Sequence, residues 1–248
     1  MFVNLLTRAR PKRDHSSRKS PVVATAGPET PERGSSHVWI ERMVAHAYVD
    51  GFNLYHSLVR TRPKTKWLDF SELWRSLLPE TPIEHTYYFT ARVHPMPLDK
   101  GAPARQQRLL DALGSAGVEI VLGTFRQDTM MARPTYGSIR DRLEVHRSRE
   151  KASDVNLASY LLRDTYSGSI DTAVVVSNDS DLLRPVSFAR EAGVDVILCS
   201  PTARPSSALV REASEHYVLT SERLESCQFP ATVVLDSGRE VHRPREWA

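Results

Sequence analysis

From Val44 onward, short apolar runs rich in Val, Ile and Tyr alternate with segments whose apolar residues recur every three or four positions. The runs VAHAYVD (44–50), IEHTYYFTARV (83–93), VEIVLGTF (118–125), DTAVVVS (171–177), VDVILC (194–199) and HYVL (216–219) read as strands. NLYHSLV (53–59), SELWRSLL (71–78) and PARQQRLLDALGSAG (103–117, closed by Gly117) read as helices, as do segments from about Lys151 to Tyr166, Asp181 to Ala192 and Ser206 to Ala213. Apolar strands regularly separated by helices predict an α/β layered fold with a mostly parallel central sheet, whose ligand crevice lies at the carboxyl ends of the strands. The Arg-rich stretch 126–149 shows neither period and reads as irregular. Residues 228–248 include TVVLDSGREVHR, either an edge hairpin around Asp236-Ser237-Gly238 or a flexible tail. Residues 1–42, rich in Pro, Ser, Arg and Lys without apolar periodicity, read as a disordered extension, leaving 43–227 as the folded domain.

Two of the apolar runs stop at carboxylates. AYVDGFN places Asp50 at the end of the first strand, where Gly51 permits a tight turn and Asn53 follows at the head of a helix. VVVSNDSD places Ser177, Asn178, Asp179 and Asp181 directly after four apolar residues. A helix cap accounts for Asn178 or Asp179, and a capped turn accounts for DGFN, but a cap does not explain four polar groups in five positions. In KASDVNLASYLLRD, Asp154, Ala158, Leu161 and Leu162 share one helical face, so Asp154 is expected to lead the buried face, with stabilisation of the helix N-terminus as its simpler role. Bringing Asp50, Asp154, Asp179 and Asp181 together costs repulsion and desolvation unless cations compensate. Carboxylate and amide oxygens without a Cys/His set favour Mg²⁺ or Mn²⁺ over zinc, and such ions support phosphodiester hydrolysis.

These residues resemble the NYN domain family of PIN-like nucleases, which includes the LabA-like proteins. The resemblance runs through DGFN, the K-x-x-D of EKASDVNLA, SNDSDLL followed by FAREAGVDVIL, and the closing HYVL and CQFP segments, over roughly residues 44–230. It implies a PIN-like Rossmannoid fold and metal-dependent cleavage of single-stranded or structured RNA to products with a 5′ phosphate and a 3′ hydroxyl. It also implies that Asp50, Asp154, Asp179 and Asp181 bind the metal, with Asn53, Ser177 and Asn178 as supporting polar groups. Lys151 and Arg92 are candidate phosphate contacts, with a surface lysine and an arginine paired to one of the acids as the plainer readings. The Arg residues of 126–149, interleaved with Tyr136, suit a single strand or form a solvated loop.

Charge and composition narrow the alternatives. The net charge of +3 conceals eight Lys/Arg against four Asp/Glu in residues 1–42 and a near-neutral remainder, so the balance of the folded part makes no nucleic-acid argument by itself. Two cysteines without metal-ligand spacing, and apolar runs too short to cross a membrane, fit a reducing, cytoplasmic setting. The opening MFVNLLTRARPKR lacks the apolar core of a secretory signal. No ligand spacing links His46, His56, His94 and His146, and the Trp and Tyr87-Tyr88-Phe89 aromatics read as packing. A haloacid-dehalogenase-like phosphohydrolase needs a second acid two residues after its nucleophilic Asp, where this chain has Phe52. A regulatory RNA- or protein-binding module that keeps the acids without cleaving is the main alternative. The sequence leaves the oligomeric state open, a homodimer included.

Overall fold

The computed structural model describes residues 43–95, 99–132 and 143–248, with the backbone alone for 125–132 and 143–150. The basic segment 1–42 and the Tyr136 region lie outside the described residues. β1 (Ala45–Asp50) runs into α1 (Gly51–Leu54), which widens into a π-helical turn over Tyr55–Val59, so the expected single helix is two short pieces. A 3-10 turn (Pro63–Thr65) leads to α2 (Phe70–Leu77), capped by Asp69, which accepts from the Ser71 amide. β2 (Ile83–Thr90), α3 (Ala102–Ser115) and β3 (Val118–Leu122) follow.

The stretch read as irregular is instead a ribbon. β4 (Thr124–Ala132) and β5 (Leu143–Lys151) pair antiparallel, with Thr124 opposite Lys151 and Asp128 opposite Arg147. The apolar residues of these two segments fall on no single period-2 face, so nothing local announced the strands. Beyond it come α4 (Ser153–Ser167), β6 (Thr172–Val176), a 3-10 turn (Ser180–Leu182), α5 (Leu183–Glu191), β7 (Asp195–Ser200), α6 (Ser207–Glu212) and β8 (Glu215–Val218). α7 (Ser221–Ser226), absent from the sequence reading, is six residues long and is capped by the Thr220 hydroxyl. β9 (Thr232–Val234) and β10 (Glu240–His242) form a separate hairpin.

Six strands form one parallel sheet in the order β3-β2-β1-β6-β7-β8. The chain builds outward from β1 through β2 to β3, then returns to β1's other side and builds outward through β6, β7 and β8. The topological switch point therefore lies between β1 and β6, where an open α/β sheet has its crevice.

Side chains alternate between two cores. Ala47, Val49, Val174, Val176, Ile197 and Cys199 face one side, where Trp67, Phe70, Leu73 and Trp74 cover them. Tyr48, Ala173, Val175, Val196 and Leu198 face the other, under Leu157 and Leu161 of α4 and Val186 and Ala189 of α5. Val241 and Trp247 are buried in the first core, and the Trp247 ring lies 6.3 Å from that of Trp67, so the C-terminal segment packs as part of the fold. Both cysteines are buried and unbridged. Among the described residues, no helix is long and apolar enough to cross a membrane.

Candidate active site at the switch point

Asp50 ends β1 and is 3% exposed. Its Oδ1 accepts from the backbone amide of Asn53 at 2.9 Å, the capping bond of α1, and its Oδ2 accepts from the hydroxyl of Ser177 at 2.9 Å. Gly51 adopts a helical rather than a left-handed backbone, so the expected turn is not its reason for being glycine. A Cβ there would stand 2.6 Å from Cζ of Tyr88 and 2.8 Å from the Phe89 carbonyl oxygen; the requirement is close approach to β2.

The segment after β6 is fastened to the same place. Oδ1 of Asn53 accepts from the Asn178 amide at 2.9 Å, and Oδ1 of Asn178 accepts from the Ser206 amide at 2.6 Å. The Asp179 amide donates to Oγ of Ser177 at 3.1 Å, while its carboxylate caps the 3-10 turn by accepting from the Asp181 amide at 3.0 Å. Of the two cap candidates, Asp179 takes the role.

α4 brings in Asp154, with a correction to its face. The buried positions are Ser153, Leu157, Leu161, Asp164 and Thr165, whereas Asp154 in the first turn is exposed. The buried face begins one residue earlier than expected, with Leu157 and Leu161 packed on the sheet, and the helix follows Ala152, whose φ of 78° lies in the left-handed region. Asp154 is nonetheless near enough to act on Asp50. Burial first, then the charges of Asp154 and Asp179, push the Asp50 carboxyl up to about 6, against the hydrogen bonds from Asn53 and Ser177.

The structure therefore brings Asp50, Asp154, Asp179, Asn53, Ser177 and Asn178 together at the switch point, while Asp181 is exposed and tied to them through its amide bond to Asp179. Lys151 ends β5 opposite Thr124, three residues before Asp154. Arg92 is exposed and donates to the Gln107 side chain on α3, so its partner is a neutral amide rather than one of the acids. Among the described residues, no group of three or more His, Cys, Asp or Glu is arranged as a ready ligand set. The donor chemistry still fits a hard cation: a carboxylate whose proton affinity is raised by burial and by two neighbouring acids is an arrangement that positive charge relieves.

Sequence reasoning missed the cavity beside this cluster. It encloses about 880 Å³, starting at Gly51 and Phe52 and passing between the turn after α1, the end of β2, and α3. Tyr55, Phe70, Tyr88 and Leu109 are among its apolar walls, and Lys66 and Arg105 among its cations. These residues come from separate stretches of chain, none carrying a motif, so no local signal marked them.

The family model of the NYN domain matches residues 46–221, and the chain belongs to the NYN domain family, which is nuclease-like in general. A curated relative, 6-hydroxy-3-succinoylpyridine 3-monooxygenase HspA of Pseudomonas putida, is 25% identical over 242 residues, 84% of this chain and 76% of the relative. A solved structure from Vibrio parahaemolyticus, of unknown function, aligns with TM-score 0.47 and 16% identity over 77% of this chain and 98% of that one.

Proposed function

We propose that this protein is a metal-dependent ribonuclease that hydrolyses phosphodiester bonds of single-stranded or structured RNA at the crevice between β1 and β6. The observation that carries the reading is Asp50, a strand-end carboxylate whose proton affinity is raised first by burial and further by the neighbouring charges of Asp154 and Asp179. Membership of a nuclease-like family supports it. Asp50, Asp154, Asp179 and Asp181 would hold Mg²⁺ or Mn²⁺, which when bound supplies positive charge against the scissile phosphate and acidifies water. Ser177 and the Asn53 amide hold the Asp50 carboxylate in place, and Asn178 fixes the loop to the start of α6. Lys151, at the foot of the Arg-rich ribbon, offers a cation to the RNA backbone beside the acids.

The test is cleavage of a labelled RNA pool by the wild type and Asp179→Asn with Mg²⁺, Mn²⁺ or EDTA, beside single-stranded DNA. Metal-dependent cutting of RNA that is lost in the variant is expected. RNA binding indifferent to EDTA, without cutting by either protein, would favour a regulatory binding module instead.

The cavity beside Asp50 favours a second reading, oxygenation of a small heteroaromatic acid, the activity for which the Pseudomonas putida relative is named. Incubating the protein with 6-hydroxy-3-succinoylpyridine, O₂ and a reduced nicotinamide, followed by mass spectrometry, tests it. A hydroxylated product supports this reading, and unchanged substrate removes it.

A further inference from the structure

We propose that the cavity beside Asp50 is a binding site for a planar aromatic ring bearing one anionic group, with the ring against the wall formed by Tyr55, Phe70 and Tyr88 and the anion at Lys66 and Arg105. On the ribonuclease reading the inference adds a subsite outside the acid cluster, and on the oxygenation reading it rests on that reading and names the side chains that would hold the substrate.

The size comes first. About 880 Å³ is within the range of small-molecule sites, roughly 300–1,000 Å³, and accommodates a mononucleotide or a substituted heteroaromatic acid. The lining then sets the ring. Phe70 and Tyr88 lie 5.7 Å apart by ring centroids, and the Tyr55 ring has the Lys66 ammonium 5.6 Å from its centroid. Aromatic walls beside a cation suit a flat π-system that carries negative charge.

Charge sets the substituent. Lys66 is half-buried, and burial followed by the Arg105 charge lowers its proton affinity, with Asp99 opposing. Arg105 is mostly buried and bonded to both carboxylate oxygens of Asp99, and it also reaches Glu246 at 3.3 Å. Asp99 thus orients the guanidinium, while Lys66 and the exposed Arg60 bring two more cations to a lining whose one acid among the described residues is Asp99. An anion beside Lys66 would offset the hydration that burial removes and add to the opposing charge of Asp99.

The cavity opens from Gly51 and Phe52, immediately after Asp50, so a ring seated there lies next to the acid cluster. On the ribonuclease reading it is a subsite for a base flanking the cut. On the other reading it is the substrate site.

The experiment is calorimetric titration of the metal-free protein with four nucleoside monophosphates, their neutral nucleosides, a heteroaromatic carboxylate and its carboxamide. Lys66→Ala and Ala102→Trp are titrated in parallel. At least one anionic ring should bind, and its neutral counterpart should bind about tenfold or more weakly, as expected for loss of a charge-assisted contact. Lys66→Ala should weaken the anion by a similar factor and leave the neutral ring unchanged. Ala102→Trp, which fills the cavity from the first turn of α3, should abolish both. Preference for the phosphates points to a nucleotide source, and preference for the carboxylate to a free aromatic acid; either supports the site. Overturning results are no anionic ring bound at millimolar concentration, equal affinity for neutral and anionic forms, or binding that survives in a folded Ala102→Trp. If Ala102→Trp does not fold, the Lys66→Ala comparison decides. Asp50→Asn separates the two conclusions, because it removes RNA cutting on the ribonuclease reading while ring binding persists.

Discussion

The hydroxyl of Ser177 donates to Oδ2 of Asp50 at 2.9 Å across 127 positions of sequence, and Oγ of Ser177 in turn accepts from the Asp179 amide at 3.1 Å. One fully buried hydroxyl thus joins the ends of the two central strands at the point where the sheet changes direction. Ser177→Ala should leave Asp50 with one donor fewer, raising its proton affinity further. On the ribonuclease reading the rate at neutral pH should fall about tenfold and the acid limb of the rate–pH profile should move upward by about one unit. A tenfold loss without displacement of that limb would assign Ser177 a purely structural part.

The folded-state pKa of Asp50, about 6 against an ordinary 3.8, carries a stability consequence in metal-free protein. Between these values the folded state binds more protons than the unfolded state, so this group makes stability fall as pH rises from about 4 to about 6. Above that window the contribution is unfavourable by on the order of 1–3 kcal/mol. Urea unfolding in EDTA should show a flatter pH dependence for Asp50→Asn than for the wild type across this interval. Parallel curves would mean that Asp50 is not perturbed.

Divalent ions should reverse that penalty. Titration with Mn²⁺ or Mg²⁺ should raise the thermal midpoint of the wild type, by an amount equivalent to about 2.7 kcal/mol at a hundredfold excess over Kd. Asp50→Asn and Asp179→Asn should show little of this increase while remaining folded. Equal stabilisation of all three proteins would place the ion elsewhere.

Gly51→Ala tests the close approach of α1 to β2. The added methyl meets a backbone carbonyl at 2.8 Å as well as the Tyr88 ring, so side-chain rotation alone does not make room. A loss of roughly 1–3 kcal/mol in chemical denaturation is expected. Wild-type stability would show that β2 gives way easily.

Trp247 is 9% exposed and packs near Trp67, which is fully buried and donates its indole N–H to the Pro230 carbonyl at 2.8 Å. Trp247→Ala should cost about 3 kcal/mol or more, and ending the chain after Pro230 should cost more, since Val241 leaves the core as well. Unchanged denaturation midpoints would make the C-terminal hairpin dispensable.

How much of this was legible beforehand follows from the range of the interactions. The strands of the central sheet were readable because each is a short apolar run, and Asp50 and Asp179 because each run ends abruptly in polar residues. The ribbon of β4 and β5 was not, because its pairing joins positions up to 27 apart, Thr124 with Lys151, without an apolar face. The face of Asp154 was misjudged by one residue, since the polar Ser153, Asp164 and Thr165 share the buried face with Leu157 and Leu161, and apolar spacing alone does not mark them.

The sequence by itself determined the alternation of strand and helix, the parallel sheet, and the acids at strand ends, because local periodicity and strand termination are written in neighbouring residues. Only the tertiary structure decided that Asp50, Asp154 and Asp179 share one electrostatic environment and that Lys66, Arg105 and Tyr88 enclose a cavity beside them. The crossover from β3 back to β6 brings distant segments side by side, and desolvation and charge coupling depend on distance in space rather than along the chain.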